Sequence, residues 1–561
     1  MDLKALFSTK LSEILKGSLT TKEIYSLIET PKNDEHGDLA FPCFQLAKIQ
    51  KISPIEIAKQ LASRINDSVF SKIHAVGPYV NIFFSKKELG KAIINPILHQ
   101  DQNYGSSEIG KEKTVVLDLS SPNIAKPFSM GHLRSTVIGN AIANLAKKCG
   151  YRTVKINHIG DWGTQFGKLI VAYHRWGNEE AVAANPIGEL FHLYVRFHQE
   201  AEKNPYLEDE GRAAFKKLEN GDSVYLKLWE SFRNESLRAF KSIYDLLGIE
   251  FDSFQGEAFY NDKMDEIVQM LKEQNLLELS EGAEVVRLDE QQIPPCLIKK
   301  SDGATLYATR DLAAALFRQR EYKFDEALYI VGQEQTIHFQ QVKGVLKKLG
   351  YVWAEQMEHI PFGLILQHGK KMSTRKGRVI LLEDVLNEAI KLAKKNIVEK
   401  NPGIHDPDEV ANAVGVGAVI FHDLKNDRMN NIEFSLRDML TFEGETGPYV
   451  QYTNARAHSI LRKYNGTDVC FEGLDDHESW DVLKLLNEFP RIIERSYKQH
   501  APSILAKYLI HVSQAFNKYY GKIRILAEDE HLQSRVSIVK AVTIVLTEGL
   551  QLLGMKAPKE M

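Results

Sequence analysis

The chain has 561 residues, of which 43% are hydrophobic and 26% are charged. This length corresponds to about three to five domains. The composition is that of a soluble globular protein, which excludes disordered, collagen-like and coiled-coil classes. With 71 Lys and Arg against 74 Asp and Glu, the net charge is -3. Any contact with a nucleic acid must therefore be made by a local basic surface.

The four cysteines lie far apart in the sequence, at Cys43, Cys149, Cys296 and Cys470. They form no CxxC pair and no zinc-type cluster with histidine, so we expect a reduced intracellular protein without disulfides or protein-bound zinc. The longest strongly apolar stretch, 413–421, is too short to span a bilayer. The N-terminus lacks an apolar signal core. These features predict a cytoplasmic protein that is not bound to membranes.

The N-terminal region, residues 1–108, combines helical and strand patterns. Apolar residues recur at helical spacing in 3–14 and in 51–65, where Pro54 lies near the start of the segment. Residues 76–85 are rich in β-branched and aromatic side chains, which is typical of a strand. This region is predicted to be a small α/β domain.

Alternating strands and helices begin near residue 112. A buried strand is predicted at 114–121, an amphipathic helix at 132–150 and a second strand at 152–160. This βαβ pattern is the unit from which Rossmann-type parallel sheets are built. Similar strand patterns recur at 327–332 and 361–367.

After residue 440 the strand patterns stop, and three long segments with helix-period apolar residues follow. Successive long helices favour a helical bundle. The predicted fold class is therefore α/β with three parts. A small α/β domain at 1–108 precedes a Rossmann-type parallel-sheet domain with insertions at 109–439, and an all-α helical bundle occupies 440–561.

The loop after the first predicted strand has features of a phosphate site. In open parallel sheets, ligands bind at the carboxyl ends of the strands, where helix N-termini present free N–H groups to phosphates. Here Gly131 allows close approach to the backbone, His132 can donate a hydrogen bond, and Lys126 adds positive charge. Taken alone, these residues also fit an ordinary strand-to-helix turn with a surface histidine.

A strongly basic segment follows the strand pattern at 361–367. Residues 370–378 contain five Lys and Arg and no acidic residue. A charge run of this kind also fits a solvated loop. However, mobile cations in such a loop can stabilise the charge that develops as pyrophosphate leaves ATP.

Together with residues 157–170, these two loops closely resemble the signature region of class I arginyl-tRNA synthetases. The first class I motif has two histidines, and Ser129 stands here in place of the first; its hydroxyl can donate a hydrogen bond but carries no charge. Segment 371–375 resembles the second motif. The resemblance implies ATP binding by Lys126, Ser129, Gly131, His132, His338, Lys371 and Met372, and catalytic roles for His132, Lys371, Ser373 and Arg375.

A pocket for arginine needs carboxylates and planar acceptors, because a guanidinium has five fixed donors and a permanent charge. By resemblance to the arginyl enzymes, the residues that line it are Asp118, Asn123, Tyr307, Asp311 and Gln335. Tyr307 and Asp311 are four residues apart and fall on one face of a predicted helix. The resemblance implies that Asp311 contacts the guanidinium, and that Asn123 and Gln335 hold the α-amino and carboxylate end or the adenylate.

The C-terminal region has a basic segment that suits RNA. Residues 491–524 carry seven Lys and Arg, one acidic residue and five interleaved aromatic residues, a combination that fits single-stranded RNA but also the core of an ordinary bundle. Segment 446–463 and the ending at Met561 resemble the family's anticodon-binding domain. Residues 1–108 resemble its additional domain, which contacts the outer corner of the tRNA. The implied tRNA-binding residues are Tyr449, Gln451, Tyr452, Arg456, Arg495, Lys498 and Met561.

The resemblance covers the whole chain and implies an arginine–tRNA ligase activity. ATP, accompanied by Mg²⁺, would activate L-arginine to arginyl-adenylate, which is then transferred to the 3′-terminal adenosine of tRNA(Arg). The resemblance also implies a monomer, no metal held by protein ligands, and an activation step that needs tRNA. Two alternatives remain open: a nucleotidyltransferase for a smaller substrate, and a non-catalytic RNA-binding relative. The helical C-terminal region argues against the first, and the presence of His132 and Lys371 argues against the second.

Overall fold

The computed structural model describes residues 2–300, 307–367, 369–371, 380–466 and 469–561, with Lys371 described in its backbone only. These residues form two compact units. The first comprises Met1–Tyr104, Thr453–Pro490 and His511–Leu546, and the second comprises Gly105–Tyr452, Arg491–Ile510 and Thr547–Met561.

The described residues are mainly helical, with short strands in four small sheets. The strands are β1 (Leu39–Pro42), β2 (Phe70–Val76), β3 (Tyr79–Phe84), β4 (Thr114–Asp118), β5 (Arg152–Ile156), β6 (Glu278–Ser280), β7 (Ala283–Val286), β8 (Cys296–Lys299), β9 (Glu326–Tyr329), β10 (Met357–His359), β11 (Ile365–Gln367), β12 (Lys370–Lys371) and β13 (Ile432–Glu433). The helices are α1 (Leu3–Leu15), α2 (Thr21–Leu27), α3 (Phe44–Gln50), α4 (Pro54–Arg64), α5 (Lys86–Gln100), α6 (Met130–Lys148), α7 (Thr164–Trp176), α8 (Glu179–Ala184), α9 (Pro186–Lys203), α10 (Tyr206–Glu219), α11 (Ser223–Leu247), α12 (Met264–Glu273), α13 (Tyr307–Tyr322), α14 (Thr336–Lys348), α15 (Leu382–Lys400), α16 (Pro407–Leu424), α17 (Leu436–Met439), α18 (Gly447–Lys463), α19 (His477–Lys498), α20 (Pro502–Lys522) and α21 (Leu532–Leu552).

A parallel sheet in the second unit positions the polar residues of interest. Its strand order is β10-β9-β4-β5, and each neighbouring pair is parallel, which confirms the prediction from the βαβ pattern. β4 is buried along its whole length and ends at Asp118, which lies opposite Ile156 of β5 and Tyr329 of β9. Because parallel strands end at the same edge of a sheet, the residues that follow β4, β5 and β9 come together there.

Helix α6 follows β4 and packs closely against the end of that strand. It begins at Met130, two residues earlier than the sequence pattern predicts, with Ser129 as its N-cap. A Cβ at Gly139 would lie 2.6 Å from the Cβ of Leu119, so this crossing requires a residue without a side chain. Gly150, with a φ of +90°, follows the helix in the conformation expected of a C-terminal glycine.

The strand predicted at 361–367 is shorter in the structure, and it belongs to a different sheet. Only β11 is regular, and it lies in a sheet of order β12-β11-β13. The preceding residues bond instead to a distant segment: the Gly363 N–H donates to the Arg428 carbonyl (2.9 Å), and the Leu364 carbonyl accepts from Ile432 (2.9 Å). β12, which contains the first two residues of the basic segment, pairs antiparallel with β11.

The first unit contains a three-stranded antiparallel sheet of order β1-β3-β2, as expected for a small α/β domain. The segment predicted as one strand at 76–85 is divided, because β2 ends at Val76 and β3 begins at Tyr79 after a turn at Gly77 (φ +56°). Buried side chains such as Phe7, Leu11 and Ile82 form its interior.

Four long helices, α18 to α21, follow residue 440. Over the ranges that the structure describes, no strand occurs after β13, which agrees with the predicted all-α C-terminal region. No helix within the same ranges is long and apolar enough to cross a membrane.

We predict that Gly139→Ala lowers the free energy of unfolding by about 1–3 kcal/mol, because the added methyl group overpacks the α6–β4 contact. Gly521→Ala is the matched control, since a Cβ at Gly521 of α20 meets nothing within 4 Å. Urea denaturation followed by circular dichroism measures both variants. Equal, small effects would contradict the close packing assigned to Gly139.

Candidate active site

A cavity of about 430 Å³ lies at the carboxyl edge of the parallel sheet. Its lining includes all five residues expected to bind arginine: Asp118, Asn123, Tyr307, Asp311 and Gln335. These residues come from the end of β4, the loop after it, the first turn of α13 and the segment after β9. Ser121, His158, Gly160, Glu257, Arg310 and His338 also line the cavity.

Asp311 is the carboxylate that the cavity leaves most available to a ligand. Its side chain is 27% exposed, and its Oδ2 lies 2.6 Å from Nε2 of His338 while its Oδ1 lies 3.8 Å from Nε2 of His158. Burial raises the pKa of Asp311, but the hydrogen bond with His338 and the nearby charges of His338, His158 and Arg318 outweigh burial, so the net shift is downward. The carboxylate is therefore ionised at neutral pH and can attract a cation.

Asp118 already has a cationic partner. Its Oδ2 lies 2.8 Å from Nη1 of Arg318, with the two side chains only 9% and 2% exposed, and its Oδ1 accepts a hydrogen bond from Ser121 (2.9 Å). Burial lowers the pKa of the Arg318 guanidinium, but Asp118 and two nearby tyrosines outweigh it and raise that pKa well above its ordinary value. Asp118 therefore lines the cavity as expected, but Arg318 already occupies its carboxylate.

A third carboxylate, Glu257, lies in the cavity wall. Its side chain is 16% exposed, and its Oε2 is 3.5 Å from Nη1 of Arg310, long for an ion pair. The pKa of Glu257 is raised to about 7, mainly by burial and also by the negative charges of Asp311 and Asp161, while Arg310 opposes the rise. Glu257 is therefore partly protonated at neutral pH and can gain charge when a cation binds.

The other three residues predicted to bind the substrate arginine lie elsewhere in the lining of the cavity. Asn123 packs against Gly160, where an added Cβ would lie 2.0 Å from Oδ1 of Asn123, so glycine is needed there to leave room for the amide. Tyr307 is 64% exposed, and Gln335 is exposed in the turn before α14.

His132 lies in the first turn of α6, where Ser129 holds one of its ring nitrogens. The Ser129 N–H donates to Nδ1 of His132 (3.2 Å), and the Ser129 hydroxyl lies 3.2 Å from the same atom. Burial lowers the pKa of His132 to about 4, with Lys126 also lowering it and the backbone of Ser129 opposing them. Since Nδ1 accepts a hydrogen bond in a neutral ring, Nε2 carries the proton and can donate.

Two other residues predicted to bind ATP, Lys126 and Gly131, differ in how exposed they are. Lys126 lies over the ring of Tyr194 (5.1 Å), and burial lowers its pKa. Gly131 is exposed, and a Cβ there would meet only Ser129 Oγ at 3.5 Å. His338, which the resemblance assigns to ATP binding, lines the cavity beside Asp311.

The loop between β4 and α6 is joined by backbone hydrogen bonds to the residues that follow the basic segment 370–378. The Leu382 N–H donates to the Phe128 carbonyl (3.0 Å), and the Met130 N–H donates to the Ile380 carbonyl (3.3 Å). Met372, Ser373 and Arg375, predicted to act on ATP, lie outside the described residues, as does the Lys371 side chain. The two predicted phosphate motifs nevertheless adjoin at these flanking residues.

The residues predicted to bind tRNA differ in their availability. Arg495 and Lys498 are exposed, and Lys498 lies 3.4 Å from Glu494. Tyr452 is 37% exposed, whereas Gln451 is buried and its amide donates to the carbonyls of residues 413 and 556. Tyr449 and Met561 are half-buried, and the carbonyl of Met561 accepts a hydrogen bond from Asn401. The Arg456 guanidinium donates a hydrogen bond to Asn517. Direct RNA contact by Gln451 would therefore require this packing to change.

The aromatic residues in 491–524 fitted either RNA stacking or a bundle core, and the structure supports the core for four of the five. Tyr497, Tyr508, Phe516 and Tyr519 are at most 4% exposed, whereas Tyr520 is 45% exposed. Tyr508, Phe516 and Tyr519 share the buried face of α20, and Tyr497 is buried on α19. The basic side chains between them are exposed.

Several residues of the cavity were not found from the sequence. His158 could have been, because it follows β5 at the carboxyl edge where ligands bind. Arg318 does not line the cavity itself but pairs with Asp118, which does. It lies seven residues after Asp311 on α13, a spacing that places both on one face. Glu257 has no such signal, because it lies in a short 3₁₀ helix, Glu257–Lys263, between α11 and α12. Within the described ranges, no cluster of three or more acidic, histidine or cysteine side chains could hold a metal ion.

Comparison with known families adds to this geometry. Residues 93–436 match the model of the tRNA synthetases class I (R) catalytic domain, residues 450–561 match the DALR anticodon binding domain, and residues 1–84 match the arginyl tRNA synthetase N terminal domain. The parallel sheet, its cavity and the catalytic-domain match define a class I aminoacyl-tRNA synthetase.

Comparison with individual proteins shows which family of this class the chain belongs to. The chain is 60% identical to arginine–tRNA ligase 2 of Bacillus anthracis and 56% identical to arginine–tRNA ligase of Enterococcus faecalis, with complete coverage of both chains in each case. The chain therefore belongs to the arginyl-tRNA synthetase family. The fold is similar to those of solved arginyl-tRNA synthetases from Thermus thermophilus (24% identity, TM-score 0.80, all of both chains) and Plasmodium falciparum (24%, 0.76, all of this chain and 98% of the other).

We predict that Asp118→Asn lowers the free energy of unfolding by about 3–5 kcal/mol, because it leaves the Arg318 guanidinium buried without a counter-charge. The double variant Asp118→Asn/Arg318→Met should recover much of this loss. Chemical denaturation of the single and double variants measures the effect. A double variant no more stable than Asp118→Asn would contradict the pairing of these two residues.

We also predict that the affinity for arginine rises between pH 6 and pH 8. The pKa of Glu257 is raised to about 7, so the side chain loses its proton across this range and the cavity gains a negative charge that attracts the cation. Calorimetric titration with arginine across the range, in wild type and in Glu257→Gln, isolates the contribution of this group. An unchanged pH dependence in the variant would contradict it.

Proposed function

We propose that this chain charges tRNA(Arg) with arginine in two steps. ATP activates L-arginine to arginyl-adenylate with release of pyrophosphate, and a hydroxyl of the 3′-terminal adenosine of the tRNA then accepts the arginyl group. One observation carries the proposal: five residues named from the motifs of the arginyl family converge on a single cavity at the carboxyl edge of the sheet.

In the proposed complex, arginine binds with its guanidinium toward Asp311. The guanidinium donors replace the imidazole of His338 as partners of the carboxylate, while Arg318 keeps Asp118 occupied. The α-amino and carboxylate end lies toward Asn123, because Asn123 belongs to the loop that leads directly to the N-terminus of α6. This orientation directs the reacting carboxylate toward ATP.

ATP binds with its phosphates at the N-terminus of α6. His132 donates from Nε2 to a phosphate oxygen, and Ser129 orients the ring through Nδ1. The exposed backbone at Gly131 leaves room for close approach of the nucleotide. The arginine carboxylate attacks the α-phosphorus in line, and negative charge develops on the pyrophosphate as it leaves.

The basic segment completes the proposed site. Lys371, Met372, Ser373 and Arg375 would stabilise the developing charge, a role supported by the backbone hydrogen bonds that hold residues 380–382 beside 128–130. Mg²⁺ accompanies ATP and is held mainly by the phosphates. Lys126, half-buried over Tyr194, adds positive potential near the same loop.

The proposal extends to the organisation of the chain. Residues 109–439 form the catalytic domain, residues 440–561 bind the anticodon region through exposed groups such as Arg495, Lys498 and Tyr452, and residues 1–108 contact the outer corner of the tRNA. The positions of the three family matches support this division. The protein acts in the cytoplasm as a monomer, in keeping with a role in translation.

We predict that His132→Ala lowers kcat for ATP–pyrophosphate exchange by about 100-fold, since it removes a donor to charge that increases in the transition state. His132→Gln should retain more activity, because a side-chain amide can still donate one hydrogen bond. Steady-state exchange kinetics with saturating arginine and tRNA measure both variants. A raised KM for ATP with unchanged kcat would assign His132 to ground-state binding instead.

Activation of arginine is also expected to depend on tRNA. The RNA-binding helices and the catalytic cavity belong to different segments of the chain, and binding of the first substrate can complete a site for the second. Exchange of labelled pyrophosphate into ATP should be very slow with arginine alone and should increase when arginine tRNA is added. Equal rates in both conditions would refute this coupling and leave the ligase assignment intact.

A further inference from the structure

A fully buried ion pair joins two helices of the second unit. Arg134 lies on α6, two residues after His132, and its Nε is 3.0 Å from Oδ2 of Asp423 on α16. The two side chains are 1% and 4% exposed. Neither residue lines the arginine cavity, so the pair has no direct contact with the amino-acid substrate.

The other contacts of Arg134 lead to the sheet that contains the start of the basic segment. Its Nη1 donates to the carbonyl of Asn430 (2.8 Å), and its guanidinium lies over the ring of Phe362 (5.8 Å). Asn430 precedes β13 and Phe362 precedes β11. These strands pair with each other, and β11 pairs with β12, which consists of Lys370 and Lys371. One guanidinium thus contacts α16 and both segments that enter this sheet.

The energetics of the pair argue against a purely stabilising role. Buried ion pairs are costly, and apolar residues of similar volume often serve stability equally well. This pair also leaves Nη2 of Arg134 and Oδ1 of Asp423 buried without hydrogen-bond partners in the described residues. What the pair provides that an apolar contact would not is directional geometry, because the flat guanidinium fixes three neighbours at once.

We propose that the Arg134–Asp423 pair is a positioning pair that fixes the N-terminus of α6, with His132, relative to the strand from which the basic segment begins. The inference rests on the proposed function, because it assumes that His132 and the basic segment act on the same ATP molecule. The pair holds the two phosphate-binding elements at a working separation, and ATP itself does not contact it. Small misplacements of catalytic groups lower kcat strongly without a matching loss of binding.

The pair also makes this geometry sensitive to pH. Burial raises the pKa of Asp423 to about 6, against the lowering effect of Arg134. Arg134 is the charged group that faces this carboxyl; neighbouring His422 bonds to the Glu433 carbonyl (3.0 Å), and Arg428 bonds to carbonyls elsewhere. Protonation of Asp423 removes the ion pair, so the positioning contact weakens as the pH falls through about 6.

The effect on stability has the opposite sign, which separates positioning from unfolding. The pKa of Asp423 in the folded state lies above its ordinary value, so the folded state binds the proton more tightly. This group therefore adds stability as the pH falls from about 6 to about 4. Relative to Asp423→Asn, the wild type should lose kcat over the same range in which it gains thermal stability.

The test compares Arg134→Met with a matched control on the same helix. Lys148→Met removes a pair of similar burial at the other end of α6, where Nζ lies 2.8 Å from Oε1 of Glu548 and the side chains are 9% and 13% exposed. Arg134→Met should lower kcat for ATP–pyrophosphate exchange by on the order of 10- to 100-fold, with KM for ATP and arginine changed by less than about threefold. Lys148→Met should leave kcat near the wild-type value.

Asp423→Asn keeps an oxygen acceptor for Nε of Arg134 and provides the test if Arg134→Met does not fold. Its kcat should be lower than that of the wild type at pH 8, and it should lack the fall in kcat near pH 6 that the wild type shows. Unchanged kcat in Arg134→Met, or the same acid limb in Asp423→Asn as in the wild type, would overturn the positioning role. Failure of the wild type to form arginyl-tRNA would instead overturn the proposed function.

Discussion

The cost of burying charge is the constraint on which this active site depends. A carboxylate removed from water needs a cation or hydrogen-bond donors, and the partner it already has decides whether a substrate can use it. Asp118 is paired with Arg318, which is permanently charged and even more deeply buried. Asp311 is paired with the imidazoles of His338 and His158, which a guanidinium can replace. A cavity lined by several carboxylates therefore offers one principal binding point for a single guanidinium.

The parallel sheet places these charged residues next to the predicted phosphate site. Asp118 ends β4, and the same loop continues past Asn123 to the first turn of α6, where His132 is held by Ser129. In the proposed site, the amino-acid end and the phosphate end are therefore consecutive in the chain and share one support. Backbone hydrogen bonds from residues 380–382 bring the segment after the basic residues to the same place. This arrangement supports the proposed in-line reaction of arginine with ATP.

Much of this could be predicted from the sequence, because strands, helices and spacing within one element are local properties. The βαβ order gave the parallel sheet, and the four-residue spacing of Tyr307 and Asp311 gave their common face. Partnerships between distant residues were not predictable. Nothing local shows that Arg318 neutralises Asp118, or that Glu257, in a short 3₁₀ helix, lines the cavity. Tyr519 shows the same limit, since an aromatic residue between lysines has the same pattern whether it binds RNA or packs in the core.

The most direct test of the account is a cycle that combines ligand charge with the charge of Asp311. Citrulline has nearly the shape of arginine but carries a neutral ureido group, so calorimetric affinities of both ligands for wild type and for Asp311→Asn isolate the interaction of the guanidinium with the carboxylate. Wild type should prefer arginine, Asp311→Asn should lose this preference, and the coupling free energy should be about 2–5 kcal/mol. An equal preference for arginine in both proteins would contradict the assignment of Asp311 as the counter-charge of the substrate.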